Sequence, residues 1–130
     1  FTGNSSLNFE KIEPDEVIIS LKNNRSVQNH IKQVHACAMA LVIETATGFV
    51  VGMNVPDDKI LLIKEMNLKY VKRSLGKVKG TASLTQAQIE QIKSEPKGDI
   101  AVPVILTDDE GKEPVKAEVI WAWREKKKDH

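Results

Sequence analysis

The stretch V-H-A-C-A-M-A-L-V-I-E-T-A-T-G-F-V-V-G-M, residues 34–53, decides how the rest of this sequence reads. Only His35 and Glu44 in it are able to carry charge near neutral pH. Its length and composition approach what a helix needs to cross a bilayer, and a helix buried inside a sheet shows the same all-round apolar make-up. The carboxylate near the middle, the dilution by Ala, Thr and Gly, and the amphipathic strands on either side favour the buried helix. It is predicted over roughly Val34 to Gly52, with residues 54–59, which contain Pro56 and two aspartates, ending it.

On the N-terminal side, residues 15–22 alternate Val17, Ile19 and Leu21 with Glu16, Ser20 and Lys22, the period of a half-buried strand. Residues 7–13 read as a short helical turn before Pro14. On the C-terminal side, residues 60–73 form a long strand with Ile60, Leu62, Met66, Leu68 and Tyr70 on one face, and Lys64 intruding on it. Residues 77–84 alternate again, Val78, Gly80, Ala82 and Leu84 against Lys77, Lys79, Thr81 and Ser83, and pair with the preceding strand as a hairpin. Thr85-Gln86-Ala87-Gln88 carries the reciprocal pattern of a helix N-cap, and Ile89 and Ile92 stripe a short helix that Pro96 and Gly98 stop.

Residues 99–107 are rich in Val and Ile, with Pro103 marking an edge or a bulge. Residues 115–124 set Val115, Ala117, Val119, Trp121 and Trp123 on one face, so both tryptophans are expected in the core or an interface. The turn D-D-E-G-K at 108–112 joins these two runs as a second hairpin. A long helix set early and followed by consecutive strands predicts an α+β fold whose antiparallel sheet wraps that helix. No linker or repeat divides the chain, which reads as one domain over residues 1–130.

Nineteen Lys+Arg against 18 Asp+Glu leave a net charge of +1, which argues against nucleic-acid binding through bulk charge. A single cysteine excludes an internal disulfide framework and a Cys-rich zinc site. His30 and His35 stand five apart, a spacing that does not stack them on a helix, so no metal site is expected. Cys37, among alanines, reads as a small core residue. There is no G-x-S-x-G, G-x-x-x-x-G-K, G-x-G-x-x-G or H-E-x-x-H pattern. The remaining constellation is Asn29, His35 and Glu44 around the long helix. Glu44 sits alone among Ala40, Leu41, Val42, Ile43, Ala46 and Phe49, where a buried unpaired carboxylate is costly. A functional carboxylate and a solvated helix edge both fit that position.

The spacing of Asn29, six residues to His35 and nine more to Glu44, in N-H-I-K-Q-V-H-A-C-A-M-A-L-V-I-E, resembles the hotdog-fold acyl-CoA thioesterases of the phenylacetyl-CoA thioesterase type. Those proteins carry Asn, then His-Gly-Gly, then an acidic residue at these offsets. The resemblance extends over nearly the whole chain and looks closest to an uncharacterised branch of that superfamily. It implies a long central helix wrapped by an antiparallel sheet of five to six strands. It implies that Glu44 is the general base or nucleophile, Asn29 orients water or substrate, and His35 stands in the first turn of the helix. The backbone N–H groups of Ala36 and Cys37, where the family has glycines, would polarise the thioester oxygen. The segment Y-V-K-R-S-L-G-K (70–77) resembles the family's Arg-Pro-Ala-containing connection beside the coenzyme A nucleotide. Lys72, Arg73, Ser74 and Lys77 are thereby expected to bind coenzyme A, within a cationic cluster that includes Lys69 and Lys79. Lysines guarding a strand edge account for the same cluster.

The resemblance further implies an acyl-CoA substrate, no cofactor beyond the coenzyme A of that substrate, and a site shared across a homodimer that can pair into a homotetramer. It implies no nucleic-acid or membrane partner and a cytoplasmic location. A hotdog protein that binds acyl-CoA or fatty acyl groups without turnover is the rival reading, and the missing glycines favour it.

Overall fold

The computed structural model describes residues 7–22, 31–71 and 77–126, and for residues 31–37 the backbone alone. In chain order the elements are β1 (Leu7–Glu13), β2 (Glu16–Leu21), α1 (Ile31–Gly52), β3 (Lys59–Tyr70), β4 (Val78–Ser83), α2 (Gln86–Ser94), β5 (Gly98–Ala101), β6 (Val104–Thr107) and β7 (Val115–Glu125). All pairings are antiparallel, in a ladder β1-β2-β4-β6 and a ladder β3-β7-β5. The two ladders meet where Pro103 breaks the Val/Ile-rich run. The Val102 N–H donates to the Val119 carbonyl of β7, and the Pro103 carbonyl accepts from the Ser83 N–H of β4. The run 98–107 is therefore one bent strand that leaves β7 for β4 at a residue with no N–H to give. Around α1 the order is β1-β2-β4-(β6/β5)-β7-β3, the hotdog arrangement.

α1 meets this sheet through Met39, Val42, Ile43, Ala46, Thr47, Val50 and Val51, all buried and spaced three or four apart. The facing strands supply Val17, Ile19 and Leu21 of β2, Val78 and Ala82 of β4, and Val115, Val119 and Trp123 of β7. At Gly80 the helix comes closest: a Cβ there would lie 2.6 Å from Val42 Cγ1. Gly80→Ala is expected to push α1 off β4 at a cost of about 1–3 kcal/mol. Urea unfolding tests this, and an unchanged midpoint would show that the contact yields freely. Buried Asn54 anchors the far end of α1, its Nδ2 donating to the Pro14 carbonyl at 2.8 Å and the Val50 carbonyl at 2.9 Å. α2 opens with the predicted cap: Thr85 Oγ1 accepts from the Gln88 N–H, and Gln88 Oε1 accepts from the Thr85 N–H.

Five local expectations change in the folded chain. Residues 7–13 form a strand instead of a helical turn, because β2 offers them a ladder from Leu7↔Leu21 to Glu13↔Glu16. The helix starts at Ile31, three residues earlier than predicted. The hairpin expected between residues 60–73 and 77–84 does not form: β3 pairs with β7, while β4 pairs with β2 and β6. The second hairpin survives only in its β5–β7 half. Finally, Lys64 occupies a bulge between Ile63 and Glu65 that reverses the strand's parity. By register Leu61 and Ile63 therefore share a face with Met66 and Leu68, and of these Leu61, Met66 and Leu68 pack on the core while Ile63 stays 41% exposed; Ile60 and Leu62 take the other face, Leu62 at 43% exposure.

A second bulge falls at Glu10, between Phe9 and Lys11. It turns the Glu10 carboxylate across β2 toward β4, where it pairs with Lys79 at 3.1 Å and Lys77 at 3.3 Å. The Ser20 hydroxyl, which leans on the carboxylate short of a well-formed hydrogen bond, does most to lower the Glu10 pKa, followed by Lys79; together they hold it at about 2. A carboxyl held below its unfolded value stabilises the fold above about pH 4.5, and that stabilisation is lost as pH falls toward 2. Glu10→Gln should be less stable than the unaltered chain at pH 7, by at most about 1 kcal/mol after solvent screening. The gap should close on acidification. Urea midpoints at pH 7 and pH 3 check this, and a gap that widens at pH 3 would contradict it.

Candidate functional site

Glu44 is exposed, on the flank of α1 that the sheet leaves uncovered. Both readings open in the sequence, a functional carboxylate and a solvated helix edge, are compatible with that exposure. The sheet buries only one face of the helix, and Phe49 and Met53, at 44% and 39% exposure, stay open as well. Toward the C-terminal end, Glu44, Gly48 and Gly52 follow at four-residue spacing, which puts them on one line of the helix. Of the three, Gly48 and Gly52 approach β7 and β3. A Cβ on Gly48 would lie 3.0 Å from Cζ2 of Trp121, and a Cβ on Gly52 would lie 3.6 Å from Cδ2 of Leu61.

The turn of α1 that carries Glu44 is tied to β7 through a single hydroxyl. Trp121 Nε1–H donates to Thr47 Oγ1 at 2.8 Å, and Thr47 Oγ1 in turn donates its one proton to the Ile43 carbonyl at 2.8 Å, with the Glu44 carbonyl at 3.2 Å beside it. The two tryptophans of β7 differ in what they cover: Trp121 lies on Gly48 of α1 and Trp123 on Gly98 of β5. Trp123 is fully buried, as expected for core, and Trp121 is half-buried against α1. Chemically, the arrangement offers a carboxylate open to water, one helical turn before the contact between Gly48 and Trp121.

Asn29 lies outside the described residues, as do Lys72, Arg73 and Ser74. His35, Ala36 and Cys37 lie within α1, their backbone alone described. Because the helix begins at Ile31, His35 falls in its second turn and not its first. The amides lacking an intrahelical acceptor belong to the first turn, so those of Ala36 and Cys37 point back at carbonyls four residues earlier and are not free oxyanion donors. Lys77 is engaged elsewhere, its ammonium with Glu10 and its backbone N–H with Asp109 Oδ2 at 3.0 Å. Sequence reasoning passed over Thr47, Gly48 and Glu10. A glycine inside a helix costs about 1 kcal/mol against alanine, and that cost was the available sign that something large approaches there.

Residues 1–123 match the family described as Domain of unknown function (DUF4442). No curated protein matches the chain significantly. Among solved structures, a protein of unknown function from Pseudomonas aeruginosa, called a "Probable Thioesterase", superposes with a TM-score of 0.80 at 22% identity, over 92% of this chain and 83% of that one. A thioesterase from Haemophilus influenzae matches with a TM-score of 0.61 at 13% identity, over 95% and 82%. A Bacillus halodurans protein crystallised with CoA matches with a TM-score of 0.64 at 22% identity, over 82% and 66%. At these identities the likeness establishes the fold alone, the hotdog arrangement described above. Among the described residues no helix is long and apolar enough to cross a membrane.

Proposed function

Because this chain belongs to the DUF4442 family and shares its fold with proteins named as thioesterases, we propose that it hydrolyses an acyl- or aryl-coenzyme A thioester to the free acid and coenzyme A. The observation that carries this reading is Glu44, an exposed carboxylate in the apolar run of the central helix, one turn before the contact between Gly48 and Trp121. Glu44 acts as general base toward water, or as nucleophile on the carbonyl. Asn29 and His35 complete the site from a second copy of this one hotdog domain, and the first-turn amides of α1 polarise the carbonyl oxygen. The exposed flank of α1 and the position of β3 at the edge of its ladder support a homodimer, and a tetramer by further pairing. The CoA bound by the Bacillus halodurans protein supports coenzyme A as the carrier, with Lys72, Arg73 and Ser74 at its phosphates. Lys77 joins them only by leaving Glu10. No cofactor beyond the substrate is needed, and the reaction belongs in the cytoplasm.

Thiol release from short, medium, long and aromatic acyl-CoA, measured beside Glu44→Ala, tests this reading. Turnover that disappears in the variant supports it. A folded protein with no turnover on any substrate contradicts it in favour of acyl-CoA binding without hydrolysis. Ala36 and Cys37 favour that second reading, since they replace the family's glycine pair and their amides are committed to the helix.

A further inference from the structure

Lys69 of β3 and Lys116 of β7 stand directly opposite each other in the ladder. Their neighbours fix the face. Leu68 and Ala117, also opposite, pack on the core and Val115 is buried, so the two lysines take the other side of the sheet, where both are exposed. Opposed residues carry Cβ atoms about 4.5–5.5 Å apart, and like charges so placed destabilise a sheet. The other lysines of the strands each have an acceptor: Lys11, Lys64 and Lys79 pair with carboxylates, and Lys59 donates to the Glu95 carbonyl. Lys69 and Lys116 have none among the described residues. Glu118, next along the same face of β7 and opposite Asn67, pairs with neither.

Protection of a sheet edge explains Lys69, on the outermost strand of its ladder, but not Lys116, because β7 lies between β3 and β5. The fold gains nothing from setting the two ammonium groups together. A dianion does: two lysines on flexible stems close on one phosphate from both sides, each as a point charge. The geometry points to Lys69 and Lys116 as a clamp for a phosphate group on the outer face of β3 and β7. The pair lies at the end of the ladder, where the Val71 N–H donates to the Pro114 carbonyl at 2.8 Å, and Lys69 stands three residues before Lys72 in the chain. The ligand's identity rests on the reading of the chain as acting on acyl-coenzyme A. Of that molecule's phosphates the 3′-phosphate, a monoester with close to two negative charges at neutral pH, matches two ammonium groups better than either singly charged unit of the diphosphate.

The test measures affinity of the full chain for a thioether analogue of acyl-CoA, which cannot be hydrolysed. Two shortened forms run beside it, one lacking only the 3′-phosphate and one ending at pantetheine. Lys69→Gln and Lys116→Gln should each bind the complete analogue about fivefold more weakly, the worth of one exposed ion pair. Both should bind the shortened forms as the unaltered chain does. Their urea midpoints should be unchanged or higher, since a like-charge contact has gone. Lys93→Gln, an exposed lysine of α2, removes the same charge elsewhere and should leave every affinity unmoved. No loss in the complete analogue, an equal loss in all three forms, a lowered urea midpoint or an equal effect of Lys93→Gln overturns the clamp. A loss shared by the form without the 3′-phosphate but absent at pantetheine overturns the 3′ assignment in favour of the diphosphate. If no analogue binds, adenosine 3′,5′-bisphosphate followed by NMR decides. Saturable amide shifts around residues 69 and 116 keep the clamp and remove the acyl-coenzyme A reading, whereas no shift removes both.

Discussion

Thiol release from acyl-CoA should fall about 10²- to 10⁴-fold in Glu44→Ala, the range a positioned acid or base contributes, with the folded state left intact. Glu44 lies exposed on α1, and among the described residues no cation pairs with it and no donor holds its carboxylate. Its removal therefore breaks no side-chain interaction among the described residues, and alanine is the better helix former. Stability should stay within about 0.5 kcal/mol of the unaltered chain. Glu44→Gln, which keeps size and hydrogen-bonding reach but not the charge, should be nearly as inactive. Parallel melting curves and rate measurements separate chemistry from folding. Residual activity within a few-fold of the unaltered chain would remove Glu44 from the reaction.

The largest loss of stability is expected at Trp123. This side chain is 1% exposed, pairs across the ladder with Leu61 on one side and Gly98 on the other, and donates from Nε1 to the Glu95 carbonyl at 2.8 Å. Gly98 gives way to it so closely that a Cβ there would lie 2.8 Å from Cζ2. Trp123→Ala leaves a cavity between α2, β5 and β3 and takes one donor from the end of α2, though Lys59 Nζ still reaches the Glu95 carbonyl. The cost should be about 3–5 kcal/mol, read from urea unfolding. A loss below about 1 kcal/mol would mean that the surrounding strands collapse into the space. Trp121→Ala, at the half-buried position, should cost less, which separates the tryptophan fully inside the core from the one that packs on α1 at its margin.

Much of this architecture was legible because its signals are local. The apolar run 34–53, the alternation at residues 17–21 and 78–84, and the cap at Thr85–Gln88 each depend on residues a few positions apart, and each formed as read. The facing direction of β3 was misread at Lys64. An intruding lysine and a bulge look the same in a period of two, and only the pairing with Trp121 and Ile120 of β7 tells them apart. The strand at residues 7–13 was missed because β1 has little alternation of its own and takes its conformation from β2.

The candidate site divides in the same way. Glu44 stood out in the sequence as one carboxylate in an apolar run, a contrast of neighbours. That it is open to water, that Lys77 is held by Glu10, and that Thr47 pins Trp121 beside it depend on elements separated by 32 to 74 positions in the chain. The sequence by itself determined the helix, the strand segments and the residues able to do chemistry, since backbone preference and hydrophobic period act within a few residues. Which strands pair, which side of each faces the helix and which flank of the helix stays open were decided only in the tertiary structure. Those outcomes follow from which apolar faces bury one another best, and that is a property of the assembled layers and of no single segment.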